Sequence, residues 1–200
     1  MNRLLHLLYS AFVLAACSGA GLESIRYPLE DFGSYTPGLW RGRSDVVASV
    51  RAVEEKGNRA AAVKWDYTGC REAGMRFANM VFHRPITGRV QTLEARIKAG
   101  AGMKGVEICL WIEDKSGEIY ISRRRVDWEG WQTVSFPVAG RGPGWASGDR
   151  NQQQDTPLKL FGFAVESGTV LVGELAFDDI MVVAKATPQE ALAFTLVGSP

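Results

Sequence analysis

Residues Val106, Ile108, Leu110 and Ile112 alternate with Glu107, Cys109, Trp111 and Glu113. Successive side chains of a strand point to opposite faces, so this stretch offers four aliphatics to one side of a sheet. The run Glu118-Ile-Tyr-Ile-Ser122 follows Asp114-Lys-Ser-Gly117, a glycine-containing connection of hairpin length. Further strands are expected over Ala60–Tyr67, Arg76–Phe82, Leu93–Lys98, Thr133–Val138, Leu160–Val165 and Glu174–Val183. Turn chemistry separates them at Glu55-Lys-Gly-Asn58, Ala99-Gly-Ala-Gly102, Gly140-Arg-Gly-Pro-Gly144 and Glu166-Ser-Gly168. Ser44–Glu55 holds good helix formers but also Val46, Val47, Val50 and Val53, and is read as strand. Near the end, Thr187-Pro188-Gln189-Glu190 has the order of a capping box, predicting a short helix or a frayed tail that finishes at Gly198. Many short strands with one apolar face each predict an all-β chain folded as a two-sheet sandwich or a barrel.

The N-terminus follows a different logic. Arg3 supplies a positive charge, and Leu4–Val13 is mostly apolar but too short to span a bilayer as a stable helix. Leu14-Ala15-Ala16-Cys17 then resembles the lipobox of bacterial lipoproteins, in which the cysteine is lipidated and becomes the new N-terminus. An ordinary secretory signal cleaved near Ala20 is the alternative. Either way residues 1–16 stand apart from the fold, and 17–26 reads as a lipidated tether. Some lipoproteins carry an Asp after the cysteine that retains them at the inner membrane. Ser18 stands there instead, so the resemblance implies the outer membrane of a bacterial cell envelope. A thioether-linked diacylglycerol plus an amide-linked chain anchors far more durably than one acyl group.

Of 23 basic side chains one, Arg3, leaves with the leader, which matches the remainder to 22 acids. Nucleic-acid binding needs a basic field to release counterions and loses support. The mature length suits one domain with its own core. Besides Cys17 there are Cys70 and Cys109, in a compartment that permits disulfides. A bridge between them would be worth about 3 to 4 kcal/mol on the chain-entropy model. Two separate buried thiols are the other reading. No CxxC or Cys/His cluster points to a metal site made from them.

Several short stretches together carry a wider resemblance. They are Pro28-Leu-Glu-Asp-Phe32, Leu93-Glu-Ala-Arg-Ile-Lys-Ala-Gly100, Leu110-Trp-Ile-Glu-Asp114, Val126-Asp-Trp-Glu-Gly-Trp-Gln-Thr-Val-Ser-Phe-Pro137, Pro157-Leu158, Ser167-Gly-Thr-Val170 and Leu175-Ala-Phe-Asp-Asp-Ile180. Spanning 27–184, they resemble the galactose-binding-like β-sandwich, the jelly-roll scaffold of many carbohydrate-binding modules. The resemblance implies a two-sheet antiparallel jelly roll over 27–184, with 185–200 as tail or short helix. It also implies a structural calcium site where the first and last strands meet, with Glu30 and Asp31 at the opening position and Asp178 and Asp179 at the closing one. Calcium takes six to eight oxygens, and two acidic pairs supply part of that shell. Alternatively, one acid of each pair faces solvent and the other caps a turn.

Sugar binding needs aromatic platforms for the apolar faces of pyranose rings, framed by polar groups that bond hydroxyls. Six tryptophans are present, so position has to discriminate. Trp111 is the best candidate, because alternation sets it opposite the aliphatic face with Glu107 and Glu113 beside it. Trp145 is the second, in the polar loop Ala139–Thr156, where Arg150, Asn151 and Gln152–Gln154 could also reach a ligand. Trp131 and Trp65 are assigned to the core, while Trp40 and Trp128 carry no signal. Arg123-Arg124-Arg125 could bind an anionic glycan. Alternation splits that run, however, and a solvated or edge-protecting stretch is its default reading.

Catalysis has little material. After the leader, His83 is the sole histidine, and no G-x-S-x-G elbow, P-loop, H-E-x-x-H or dinucleotide fingerprint occurs. The expectation is a membrane-anchored, noncatalytic carbohydrate-binding lipoprotein. Its rival is a structural or assembly lipoprotein that uses the same sandwich to dock a protein partner.

Overall fold

A computed structural model describes residues 22–189, except 34–35, 56–57, 87, 139–142, 146–147, 150 and 152–153; at 55, 58 and 143–145 only the backbone is described. Cys17, Arg150 and most of the expected C-terminal helix therefore lie outside the described residues, and so does the side chain of Trp145. Pro188 and Gln189 begin a helical turn.

Two antiparallel sheets pack face to face. The first contains, in spatial order, β3 (Val47–Glu55), β4 (Asn58–Asp66), β12 (Val172–Ala186), β6 (Arg89–Ala99) and β9 (Gly130–Pro137), with β1 (Glu23–Glu30) paired to the second half of β12. The second runs β10 (Pro143–Trp145), β8 (Ile119–Arg125), β7 (Glu107–Glu113), β11 (Leu158–Glu166), β5 (Phe77–Ile86) and β2 (Gly38–Arg41). Of the sandwich and the barrel that alternation allows, this is the two-sheet sandwich, as the resemblance implies. A single 3-10 turn, Ala73–Met75, interrupts the strands among the described residues.

The inward faces meet in one core. Phe163 stands at its centre, with ring centroids 5.4 Å from Phe136, 5.5 Å from Phe177 and 6.2 Å from Phe82. Trp65 is buried here as expected, stacked on Tyr67, whose hydroxyl donates to the Val165 carbonyl at 2.7 Å. Burial raises the Tyr67 hydroxyl far above its ordinary range, so it stays a donor.

Two long strands keep their apolar residues inward by changing parity at a bulge. In β12 the inward set is Leu175 and Phe177, then Ile180, Val182 and Ala184. The ladder to β6 shifts register between Asp178 and Met181, and Asp179 adopts φ 47° there. In β11 the inward set passes from Leu158 and Leu160 to Phe163 and Val165, with a register shift between Leu160 and Gly162. Strict alternation would have turned half of each strand to solvent.

The sandwich is longer than its motifs. β1 begins at Glu23, inside the expected tether, because its main chain pairs with β12 from Glu23↔Ala186 to Glu30↔Ile180. Backbone pairing does not depend on side-chain pattern, so polar pairs such as Ser24↔Lys185 join the ladder. Two edge strands, β2 and β10, had no recognisable pattern of their own.

Candidate ligand-binding face

The second sheet turns its other face outward, and the side chains there make a small aromatic cluster of their own. Phe77 on β5, Trp111 on β7 and Phe161 on β11 sit side by side, with Cys109, Ala164, Ile119 and Ile121 around them. Trp40 comes in from edge strand β2. Its ring stands edge-on to Phe77 (5.5 Å, 71°), Trp111 (5.5 Å, 80°) and Phe161 (6.1 Å, 72°). Edge-to-face packing at these distances adds about 0.5–1.5 kcal/mol per pair to the burial itself. Trp40 is 37 % exposed, whereas Trp111 is 2 % exposed.

The expected platform therefore needs correcting. Alternation does send Trp111 outward, but Trp40, Phe77 and Phe161 cover it, and a platform must leave one ring face open. The exposed ring of this cluster is Trp40, which no stretch of the sequence singles out: its strand is four residues long and carries no alternation. Trp131 is corrected too. It lies on the outward face of the first sheet, half-buried, under the Arg96 guanidinium at 4.7 Å, because Val134 and Phe136 take the inward positions of β9.

Charged groups frame the aromatic cluster. Lys159 Nζ lies 2.7 Å from Glu113, and Arg123 Nε lies 3.9 Å from Glu107. Glu107 and Glu113, the two glutamates expected to bind ligand, both lie on this face and are ion-paired. In the arginine run, Arg124 turns the other way and donates to the Ser135 carbonyl of β9 at 2.7 Å. His83, exposed and at φ 53°, meets Phe161 edge-on at 4.8 Å.

The loop expected to carry ligand contacts is tied to the β7–β8 hairpin. Asp114 Oδ1 accepts from the Ser116 and Glu118 amides and the Ser116 hydroxyl, and Oδ2 accepts from the Asp155 amide. The backbone of Trp145 pairs opposite Ile119, at the far edge of the sheet from Trp40.

Asn79 lies on this face one strand in from its edge, opposite Trp40 on β2 and Ala164 on β11. It is fully buried, and neither Oδ1 nor Nδ2 has a hydrogen-bond partner among the described residues. Leaving a buried polar group unsatisfied costs about 1–3 kcal/mol. The neighbouring bulge admits only glycine, since a Cβ on Gly162 would stand 2.3 Å from the Met80 carbonyl oxygen and 2.4 Å from Asn79 Oδ1.

The cysteines are not bridged. Cys70 is buried in the core and Cys109 on the outward face, so the second sheet itself stands between them. Burial, with Glu166 beside it, raises the Cys109 thiol well above its ordinary range. Glu107, Cys109 and Glu166 place one donor atom each within 4.8 Å of one another.

The four acids of the implied calcium site are brought to the same end of the β1–β12 pair. Glu30 is buried, accepts from the Phe32 amide at 2.9 Å and pairs with Arg84 at 2.7 Å. Asp31 accepts from the Gly33 amide. Asp178 and Asp179 share Arg96, each at 3.4 Å. Two guanidiniums offset two of the four carboxylate charges, and Arg96 already sits on Asp178 and Asp179, where a calcium ion would compete with it.

No family model matches the sequence, and no curated protein does. Solved structures match its fold. A family 11 carbohydrate-binding module from Clostridium thermocellum, in complex with a β-1,3-1,4-mixed-linked tetrasaccharide, is 15 % identical with a TM-score of 0.58, covering 80 % of this chain and 95 % of that one. A family 11 module solved in solution is 18 % identical with a TM-score of 0.59, covering 84 % and 97 %. An exo-β-agarase is 13 % identical with a TM-score of 0.53, covering 84 % of this chain and 26 % of that one. The protein has the β-sandwich fold of carbohydrate-binding modules.

Proposed function

We propose that the protein is a noncatalytic glycan-binding domain, carried on the bacterial cell envelope by lipid on Cys17, that takes its ligand on the outward face of the second sheet. The observation that carries this reading is the exposed ring of Trp40 in a frame of aromatic and charged side chains, on the fold shared with carbohydrate-binding modules. An aromatic ring open on one face, with polar groups around it, offers what a pyranose needs. The six strands from β2 to β10 span five spacings, about 24 Å, which suits an oligosaccharide better than a single sugar. Calcium at Asp31, Asp178 and Asp179 would brace the β1–β12 end and has no part in the sugar contacts.

Glycan-array binding by the full chain in detergent, with calcium and with chelator, tests this. Saturable binding weakened by Trp40→Ala supports it. A blank across the array from folded protein overturns it in favour of a lipoprotein that docks a protein partner.

A further inference from the structure

Asn79 is an expensive residue to keep where it is. Its amide can donate two hydrogen bonds and accept two. Its side chain makes none among the described residues, although it is fully buried on a face that looks outward. The surroundings are apolar: Phe77 precedes it on the same face of β5, Ala164 lies across from it on β11, and Trp40 lies across from it on β2. Its Oδ1 sits over Gly162, in the space a side chain there would fill.

The ring across from Asn79 is on a short edge strand. β2 is four residues long, pairs only with β5, and forms the edge of the sheet. Local openings are drawn from such segments. Were Trp40 to turn aside, solvent would reach this face beside Asn79, between Trp40 and Phe161.

A ligand that enters there must present a donor and an acceptor side by side, on a body whose remaining surface is apolar enough to lie against Trp40 and Phe161. A vicinal pair of pyranose hydroxyls meets both demands. Two cations of this face, Arg123 and Lys159, already pair with Glu107 and Glu113, which leaves them less available to a uronate than the polar amide is to a neutral sugar. We propose that Asn79 is the specificity-determining residue of this face, taking a vicinal diol of a neutral pyranose once Trp40 has moved. The proposal rests on the glycan reading above.

The test uses the full chain in detergent and the best neutral oligosaccharide from the array. Asn79→Leu, similar in volume but without the amide, is expected to melt several degrees higher than the parent protein while its affinity falls tenfold or more. Monodeoxy analogues of the sugar, each lacking one hydroxyl of the diol, should bind the parent tenfold more weakly and the Leu variant no differently from the intact sugar. In the parent protein the side-chain amide protons of Asn79 should shift in NMR spectra on saturation, a readout independent of how the variant folds. Unchanged affinity in Asn79→Leu, or an unmoved Asn79 amide at saturation, overturns the proposal and leaves the glycan reading standing. A parent protein that binds no sugar on the array overturns both.

Discussion

Cys70 and Cys109 lie on opposite sides of the second sheet, one in the core and one in the outward aromatic cluster. A disulfide needs Cα atoms within about 7 Å and Cβ vectors that converge, and an intervening sheet prevents both. Alkylation of the unfolded chain without reductant should label both cysteines, and reductant should leave the melting temperature unchanged. A native bridge is worth about 2–5 kcal/mol. A clear drop in melting temperature on reduction would contradict the separation.

Trp111 and Trp40 touch, yet they should fail differently when truncated. Trp111 is 2 % exposed and packs against Phe77, Phe161 and Trp40. Trp111→Ala should cost about 3–5 kcal/mol, the usual range for a buried tryptophan. Trp40→Ala should cost much less in stability and more in sugar binding. Urea titrations of both variants decide the matter. If Trp111→Ala unfolds at the parental midpoint but loses ligand, Trp111 is the platform after all.

Period-two alternation was enough to place the inward residues of β7, because that strand has no bulge and its aliphatics are regular. It could not place Trp40, since a four-residue edge strand is held by backbone pairing with β5 and carries no periodicity to read. Nor could it reveal that Trp111, pointing outward, is roofed over: a sequence gives the face of a residue, whereas its cover comes from strands distant in the chain. Trp131 was misassigned for a related reason. Gly130 does start β9, but a strand start does not fix parity, which Val134 and Phe136 set further along. Resemblance points the acids Glu30, Asp31, Asp178 and Asp179 to one end of the fold, but not their partners: Arg84 lies outside every matching stretch, and Arg96, inside Leu93–Gly100, carries no sign there that it meets Asp178 and Asp179.

Gly162 is where the parity of β11 changes, and there is no room for a methyl group. Its Cβ would meet the Met80 carbonyl oxygen at 2.3 Å, and a backbone carbonyl in a paired strand cannot swing away. Gly162→Ala should destabilise by about 1–3 kcal/mol, the range for overpacking. Gly100→Ala is the control, with nothing within 4 Å of the added carbon, and should stay within about 0.5 kcal/mol of the parent. Equal unfolding midpoints for the two variants would show that the bulge can relax.

Asp178 is pushed upward by burial, then by Asp179 and Asp31, against the Asp179 amide and Arg96, which pull it down. A carboxyl with a folded pKa above its unfolded value binds its proton more tightly in the folded state. Its ionisation therefore costs stability as pH rises through the folded pKa, and the full cost is present at neutral pH. In chelator at pH 7, Asp178→Asn should melt a few degrees above the parent, and the gap should close as pH falls below the ordinary carboxylate range. Calcium reverses the order: a cation held by Asp178 favours the ionised carboxylate and raises the melting temperature of the parent in proportion to ln(1 + [L]/Kd), while the Asn variant gains less. Equal melting of the parent in calcium and in chelator would remove the calcium proposal and leave the titration argument intact. A variant that melts below the parent at pH 7 in chelator would show instead that the Arg96 pair outweighs the burial.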